Sequence, residues 1–519
     1  MALLGNLIKT GVKLGNMVVF RPRIDSEPLQ RKSLAKLLAK AKDTAFGQEY
    51  NFGDILAKAL YRRDLSYYEA FKKLPVYDYN SMYRDWWQRV INGEKDICWP
   101  GRVKYFALSS GTSEAASKQI PVTKAMSKAI QRTSIRQILA LGQYKDLPDD
   151  LYEKGFLMLS GSTNLSWVDN RFEGDLSGIS VGQIPFWFKP YYKPGEDIAR
   201  TKDWETKLKE ITKEAHKWDI GYIVGVPAWL QLLLERIVSH YKVNNIHDIW
   251  PNLNVFAHGG VSFEPYRKGF QKLLGRPIHY IETYLASEGF LAYQTHPEAL
   301  GMQLVLDNGI FFEFIPFNEK NFDTDGNVIS NPETFLLHEV EEGKEYALLI
   351  STCSGAWRYL IGDTVKIVNK PGAEIIITGR TKHFLSLCGE HLSVDNMNKA
   401  IDLVSEKLGI CIPEFTVIGK RNEKGFSHHW YVATDSHADP ETLRELIDEY
   451  LKGLNDDYVV ERKHALNEIT VTALPVKAFY GWMESKGKMG GQNKFPRVLK
   501  NKLVEEWEGY LRANNFPVV

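Results

Sequence analysis

Five short clusters in this 519-residue chain combine hydroxyls, glycines, carboxylates and lysines in ways that could handle a phosphate-bearing ligand. In the first, the hydrophobic run VKYFAL leads into Ser109-Ser110-Gly111-Thr112-Ser113, with Lys118 and Pro121 downstream. Such a loop can turn backbone N–H groups and hydroxyls toward phosphate oxygens. It is not the Walker loop, because GxxxxGK is absent, and an ordinary Ser/Thr turn between strand and helix is the alternative. The second cluster is Tyr284-Leu285-Ala286-Ser287-Glu288 after the run PIHYIE. Its ring can stack on a purine, and its carboxylate can hold magnesium, a hard cation that prefers oxygen ligands. The third, Trp357 to Asp363, puts a carboxylate beside Gly362, where it could accept both ribose hydroxyls as acidic residues do in dinucleotide sites. A plain hairpin turn is the competing reading. The fourth joins Gly379-Arg380-Thr381-Lys382 to Cys388-Gly389-Glu390-His391-Leu392. The fifth is Gln492-Asn493-Lys494-Phe495-Pro496-Arg497, behind Gly487, Gly490 and Gly491. A lysine after a glycine-rich loop is a mobile point charge suited to phosphate, or else part of a flexible surface loop.

These clusters need elements to hold them. Residues 1 to about 100 read mainly as helices, with apolar residues at helical spacing in Lys32–Lys42 and Tyr67–Phe71. Trp86, Trp87 and Trp99 are expected in the core. From Lys104 short β-rich runs alternate with amphipathic segments: VKYFAL, a helix from about Lys124 to Leu141, GFLMLSG, a helix near Trp204 to Trp218, YIVGV, a helix to about Tyr241, LNVFAHGG, a helix to about Leu274, and PIHYIETY. That alternation predicts a parallel-sheet α/β architecture, in which ligands bind at the carboxyl ends of strands. From about Leu304 strands dominate: LVLD, GIFFEFIP, TFLLHEV, EYALLIST, TVKIV and EIIITG, divided by turn signals at Asp307-Asn308-Gly309 and Asp325-Gly326. Beyond Lys382 the chain reads as a small α+β module. Its helices are Val394–Leu408 and Pro440–Leu454, and its strands are Phe415–Ile418, HHWYVAT and EITVTAL, followed by the glycine-rich Lys486–Gly491.

Composition narrows the function classes. Length alone corresponds to roughly three to four domains' worth of chain, or to one large domain and a small one. Hydrophobic residues make up 44% and aromatic ones 12%, which excludes disorder as the dominant state. Sixty-five basic against 64 acidic side chains leave a net charge of +1, so whole-protein attraction to nucleic acid or anionic membrane is absent. Cysteines at 98, 353, 388 and 411 form no CxxC pair, which argues against a zinc ribbon or disulfide scaffold. No segment approaches the roughly 20 uncharged apolar residues of a bilayer span. The apolar N-terminus, with Lys9 and Lys13, is expected to be an amphipathic helix rather than a signal peptide. A cytoplasmic location follows as the expectation.

Taken together, in this order and spacing, the five clusters resemble the adenylate-forming superfamily, whose members activate carboxylic acids as acyl-adenylates. The closer resemblance is to the auxin-responsive acyl acid amido synthetase family. Its SSGTTxGxxKxxP pattern is similar to Ser109 through Pro121, and its YxxSE-type motif to Tyr284 through Glu288. Its YRxGD-type motif resembles Tyr359 through Asp363, and its QxKxPR ending matches Gln492, Lys494, Pro496 and Arg497. Two departures stand out: Arg358 precedes the tyrosine instead of following it, and Ala115 replaces a glycine of the phosphate loop.

The resemblance implies an α/β fold with a large N-terminal adenylate-forming domain (residues 1–380), parallel or mixed sheets and a β-rich subdomain. It further implies a hinge at 381–384 and a small mobile α+β lid at 385–519. It implies that Ser109, Ser110, Gly111 and Thr112 hold the ATP phosphates with Lys118 nearby, and that Gly259 and Gly260 lie beside the adenine and acyl pocket. Tyr284 would stack on adenine, Ser287 would sit near the α-phosphate, and Glu288 would bind Mg2+. Asp363, assisted by Arg380, would hold the ribose. Thr381 and Lys382 would form the hinge, and Lys494 would meet the α-phosphate. The implied reaction is ATP-dependent adenylation of a carboxylic acid followed by transfer to an amine, such as an amino acid, by a monomer with small-molecule partners only. The alternatives are an acyl-CoA ligase of the same superfamily and a non-catalytic ATP-binding relative.

Other residues have weaker claims. Arg132 and Arg136 are one helical turn apart and share a face, where they could meet an acidic substrate or simply be solvated. Val226, Pro227 and Trp229 could line an acyl cleft. His428 and His429 lie on a strand-like run with no third metal ligand in view, and are expected to be structural.

Overall fold

The computed structural model describes residues 23–518, apart from 63–64, 110–117, 187, 261–262, 324–325, 382–391, 423–424, 437, 465, 491–493 and 501. The expected N-terminal helix, Ser110, Gly111, Thr112, Ala115, Lys382 and Cys388 therefore lie outside the described residues.

The alternating segments build one half of a large sheet. The strands Gly155–Met158, Ile220–Gly225, Val255–Gly259 and His279–Ala286 run parallel, with Tyr192–Lys193 at the edge. They are joined by the helices Trp204–Glu214, Pro227–Tyr241 and Glu264–Leu273. The strand-rich segments are not a separate layer. The hairpin from His279–Ala286 into Gly289–Tyr293 turns the same sheet antiparallel. It continues through Met302–Leu304, Glu374–Arg380, Tyr359–Asn369, Glu345–Thr352 and Ile310–Pro316, giving eleven strands in all.

Edge strands expose unpaired backbone groups and need cover. The helix Ser26–Ala41 covers the last one, Ile310–Pro316. Gln30 donates to the carbonyls of Leu306 (2.6 Å) and Ile310 (3.1 Å) and accepts the Phe312 N–H (2.7 Å). One segment expected as a strand, TFLLHEV, is instead a single bridge at Phe335 followed by a turn. The Glu339 carboxylate captures the Leu336 N–H at 2.7 Å, while Leu336, Leu337 and Val340 are buried all the same. Its apolar residues reflect burial, not pairing.

A second, four-stranded sheet carries the first cluster. Tyr105–Ser109 pairs antiparallel with Lys118–Val122 and parallel with Arg171–Gly174, which pairs with Ser166–Val168. The segment from Ser109 to Lys118 thus joins two paired strands, so the alternative of a turn between strand and helix does not hold. Helix Lys124–Ala140 follows only after the second strand, capped by Thr123. Pro121 is tolerated because its strand is the outer one of the sheet.

The terminal module has a sheet in the order Leu466–Leu474, Gly425–Ala433, Phe415–Asn422, Val498–Leu499, with the helices Val394–Leu408 and Pro440–Leu454. Three described helices lie beyond the expected set, Asp456–His464, Val476–Ser485 and Lys502–Ala513, and the last two bury Phe479, Trp482, Met483, Trp507 and Leu511. These residues merge with Trp204, Trp229, Leu233 and Phe256 of the large body into one hydrophobic cluster. The module is docked. Among the described residues no helix is long and apolar enough to cross a membrane.

Candidate active site

The Gly362-Asp363 step of the third cluster lies within a strand, so the hairpin-turn reading does not hold. Gly362, at φ +91°, kinks Tyr359–Asn369 internally, a conformation open to glycine at little cost. The kink sets Asp363 opposite Arg380 of the neighbouring strand. Arg380 Nε donates to Asp363 Oδ1 at 2.8 Å, and the Tyr284 hydroxyl donates to Oδ2 at 2.5 Å. Asp363 and Tyr284 are buried. Burial, then the Asp363 charge, push the Tyr284 phenol well above its ordinary pKa, so it remains a donor. Each carboxylate oxygen has two acceptor positions, which leaves Asp363 capacity for ribose hydroxyls.

Glu288 sits at the turn of the Tyr284 hairpin, one residue before Gly289–Tyr293. It too is buried, and burial raises its pKa to about 7, with the Lys118 ammonium acting the other way and Asp363 adding to the rise. The Tyr359 hydroxyl hydrogen-bonds Glu288. Ser287 lies half-buried beside it. Lys118, opposite Ser109 at the base of the hairpin, rests over the Tyr79 ring, 5.3 Å from its centroid. The Tyr79 hydroxyl also accepts the Gln119 N–H at 3.0 Å. Tyr79 and Tyr359 were given no role by sequence reasoning. Tyr79 comes from a helix remote in sequence, and no spacing signal could have found it.

The glycine pair ends the strand Val255–Gly259 at its carboxyl side. A Cβ on Gly259 would lie 2.4 Å from the Thr283 carbonyl. Gly260 has φ +88°, and a Cβ there would meet Lys494 Cε at 3.2 Å and Val226 Cγ2 at 3.7 Å. Lys494 Nζ donates to the Gly260 carbonyl. Its side chain keeps solvent access, yet crowding by surrounding protein, followed by the Arg380 charge, lowers its pKa to about 8. Thr381 is buried, and its N–H donates to the Gly362 carbonyl at 2.8 Å.

The structure thus brings Gly259, Gly260, Tyr284, Glu288, Lys118, Asp363, Arg380 and Lys494 to one crevice. Other candidates have different employment. Arg136 pairs with Asp307 at 2.5 Å, which removes it from the acid-binding role, and Arg132 is exposed. Trp229 is buried against Trp204 and Tyr480 instead of lining a cleft. His429 is held between Thr470 and Thr472, and burial lowers it to about 4. Among the described residues no group of three or more His, Cys, Asp or Glu is arranged for a metal ion. A surface groove of about 720 Å³ between the helices Trp204–Glu214 and Pro227–Tyr241 contains none of the crevice residues.

This arrangement of a mixed eleven-stranded sheet, a hairpin loop and a small terminal module is the fold of adenylate-forming enzymes. A solved GH3.15 acyl acid amido synthetase superposes with a TM-score of 0.75 at 17% identity, over 97% of this chain and 96% of that one. A 2-hydroxyisobutyryl-CoA ligase in the postadenylation state, in complex with R3-HIB-AMP, superposes with a TM-score of 0.59 at 13% identity, over 94% and 90%. The chain belongs to the GH3 family: the GH3 N-terminal domain matches residues 24–167 and 174–278, the central domain 303–374 and the C-terminal domain 395–503. It is similar to indole-3-acetic acid-amido synthetase GH3.4 of Arabidopsis thaliana, 27% identical over 41% of this chain and 36% of that protein. It is also similar to jasmonoyl-L-amino acid synthetase JAR4 of Nicotiana attenuata, 33% identical over 24% and 21%. The chain spans less than half the length of these curated relatives.

Proposed function

We propose that this protein is an ATP-dependent acyl acid amido synthetase that joins a carboxylic acid to an amine, in the first instance an amino acid. The observation that carries this reading is the meeting of Lys494, from the terminal module, with Gly260 and the Asp363–Arg380 pair of the large body.

In the first step a substrate carboxylate oxygen attacks the α-phosphorus of ATP, and the bond to pyrophosphate breaks. Anion meets polyanion, so charge in the transition state sets the barrier. Preorganised donors in a partly dry site stabilise such charge most effectively. Lys494 would supply one at the α-phosphate. Ser109, Ser110, Gly111 and Thr112, with Lys118, would supply others at the phosphates, and Ser287 would lie close by. Asp363, held by Tyr284 and Arg380, would accept the ribose hydroxyls, and Tyr284 would lie against the adenine. In the second step the amine nitrogen attacks the acyl carbon, the bond to AMP breaks, and an amide forms with loss of a proton.

The residues present fit a magnesium ion. Mg2+ is commonly held by one or two carboxylates together with substrate phosphates, and Glu288 is a buried carboxylate that feels the Lys118 charge. When bound, the ion neutralises phosphate charge.

Residues 1–380 would act as the large domain and 385–519 as the lid, with 381–384 as hinge. Thr381, anchored to Gly362, would be the fixed side of that hinge and Lys382 the start of the moving side. A monomer in the cytoplasm, free of membrane and nucleic acid, completes the reading. The described thiols agree with a reducing compartment, since Cys98, Cys353 and Cys411 are free.

Hydroxylamine trapping tests the proposal, with ATP, Mg2+ and a panel of aryl, indole and aliphatic acids. Hydroxamate should form with one acid class, and replacing hydroxylamine by amino acids should give an amide and AMP. Thioester formation with coenzyme A, and none of amide, would overturn it.

A further inference from the structure

The arginine of the terminal motif does not reach into the crevice. Arg497 Nη1 instead pairs with Glu414 Oε2 at 2.5 Å, and its guanidinium stacks on Phe415 with 4.5 Å to the ring centroid. The backbone carries the same attachment: the Val417 N–H donates to the Arg497 carbonyl at 2.9 Å, and Val417 pairs with Val498. Arg497 is therefore fastened into the sheet of its own module, three residues after Lys494.

The Glu414 carboxylate has one more partner, and it belongs to the other body. Tyr266, on the helix Glu264–Leu273, donates its hydroxyl to Glu414 Oε1 at 2.6 Å. Tyr266 and Glu414 are 2% and 3% exposed, so this bond is sealed from water. Burial and the Glu414 charge keep the phenol a neutral donor. One residue further along the helix than Arg267, Lys268 donates to the Ser405 carbonyl of the module at 3.0 Å.

We propose that Tyr266 is a positioning residue for adenylation: its hydroxyl latches Glu414, and through Glu414 and Arg497 it holds Lys494 at Gly260. The physical basis is a difference between two states. The Glu414–Arg497 pair lies wholly inside the module and survives any rigid rotation of it. The Tyr266–Glu414 bond crosses the seam and exists only while the module is docked. An interaction made in one state alone shifts the equilibrium by its full free energy. A hydrogen bond to a buried charge is strong enough to shift it by about tenfold or more. Tyr266 touches no reacting atom, so it acts on the half-reaction that needs Lys494 and on that one only.

This inference rests on the proposed role of Lys494, and the test separates the two. Tyr266→Phe removes the hydroxyl and leaves the ring and the module's own ion pair. Acid-dependent exchange of pyrophosphate into ATP should fall about tenfold, while transfer from supplied acyl-adenylate to the amine should stay within about twofold of the parent. In a Lys494→Ala background, Tyr266→Phe should have no further effect on exchange, because the latch acts through that lysine. Equal loss in both half-reactions would mean a structural role only and would overturn the latch, as would unchanged exchange in Tyr266→Phe when Lys494→Ala alone abolishes it. Unchanged exchange in Lys494→Ala would overturn the reading beneath it. Should Tyr266→Phe fold poorly, Lys268→Met, which removes the second bond across the seam, must show the same split in a smaller degree.

Discussion

The crevice is built from two kinds of material. On the carboxylate side, Asp363 stands on a strand and Glu288 at a hairpin turn of one sheet. Each is buried and met by a tyrosine hydroxyl, Tyr284 for Asp363 and Tyr359 for Glu288. On the lysine side, Lys494 arrives from a separate module, keeps solvent access and rests on a single backbone carbonyl. The carboxylates are fixed within one body, whereas in the proposed reading the lysine is delivered by another. Groups that bind what is common to both half-reactions belong on rigid elements. A group needed in one half-reaction gains from being removable.

The largest expected effect strikes the rigid side. Arg358 staples the N-terminal helices to the strand that carries Tyr359 and Asp363. It meets Glu313 at 3.0 Å, with both side chains almost fully buried, and donates to the carbonyls of Lys72 and Leu74. Arg358→Met should cost about 3–5 kcal/mol of stability, because it leaves the Glu313 charge buried and unpaired. A denaturant titration measures this, and adding Glu313→Gln should recover part of the loss. A negligible change would show that the carboxylate side is not held as described.

Lys494→Ala probes the delivered side. Loss of one well-placed donor typically costs about 10²–10³ in rate. Pyrophosphate exchange should fall by that factor, the transfer step far less, and the melting temperature hardly at all. Equal loss in both steps would erase the contrast between the two sides.

Glu288 sharpens the comparison through pH. Its folded pKa is raised to about 7, chiefly by burial, and a metal ion must compete with the proton. The Mg2+ needed for half-maximal exchange should rise about tenfold per pH unit below pH 7 and level off above it. The sign for stability is opposite. A raised carboxyl favours its protonated form in the fold, so its contribution is present at low pH and is lost as pH rises through about 7. Without ligand the protein should therefore melt slightly higher at pH 5.5 than at pH 8 from this group. Glu288→Gln should flatten both profiles.

The smallest effect concerns the hairpin. Tyr79→Leu removes a cation–π contact of about 0.5–1 kcal/mol from Lys118 and should raise KM for ATP roughly two- to fivefold. Tyr79→Phe, which keeps the ring, should do less. Steady-state kinetics separate the two variants.

Much of this molecule was legible in its sequence. Apolar runs of period 2 and stretches of period 3.6 located most strands and helices, and Pro440–Leu454 was read with its observed ends. Glycines next to hydroxyls and carboxylates marked the crevice, because few residue types suit a phosphate, a ribose or a positive φ. Misreadings fell where local pattern and tertiary role part company. TFLLHEV is apolar because it is buried, not because it pairs, Arg136 is neutralised by Asp307 from 171 residues away, and the strand ending at Ser109 is followed by a second strand before any helix. Tyr79, Tyr266 and Glu414 were silent. Their chemistry lies in partners 40, 148 and 83 residues distant, and a single chain records no such pairing. By itself the sequence determined which chemical groups are available and which local conformations can present them, since both depend on side-chain type and short-range sterics. Only the tertiary structure decided which groups meet, which are neutralised and which are held across the seam, because burial and contact are properties of the packed whole.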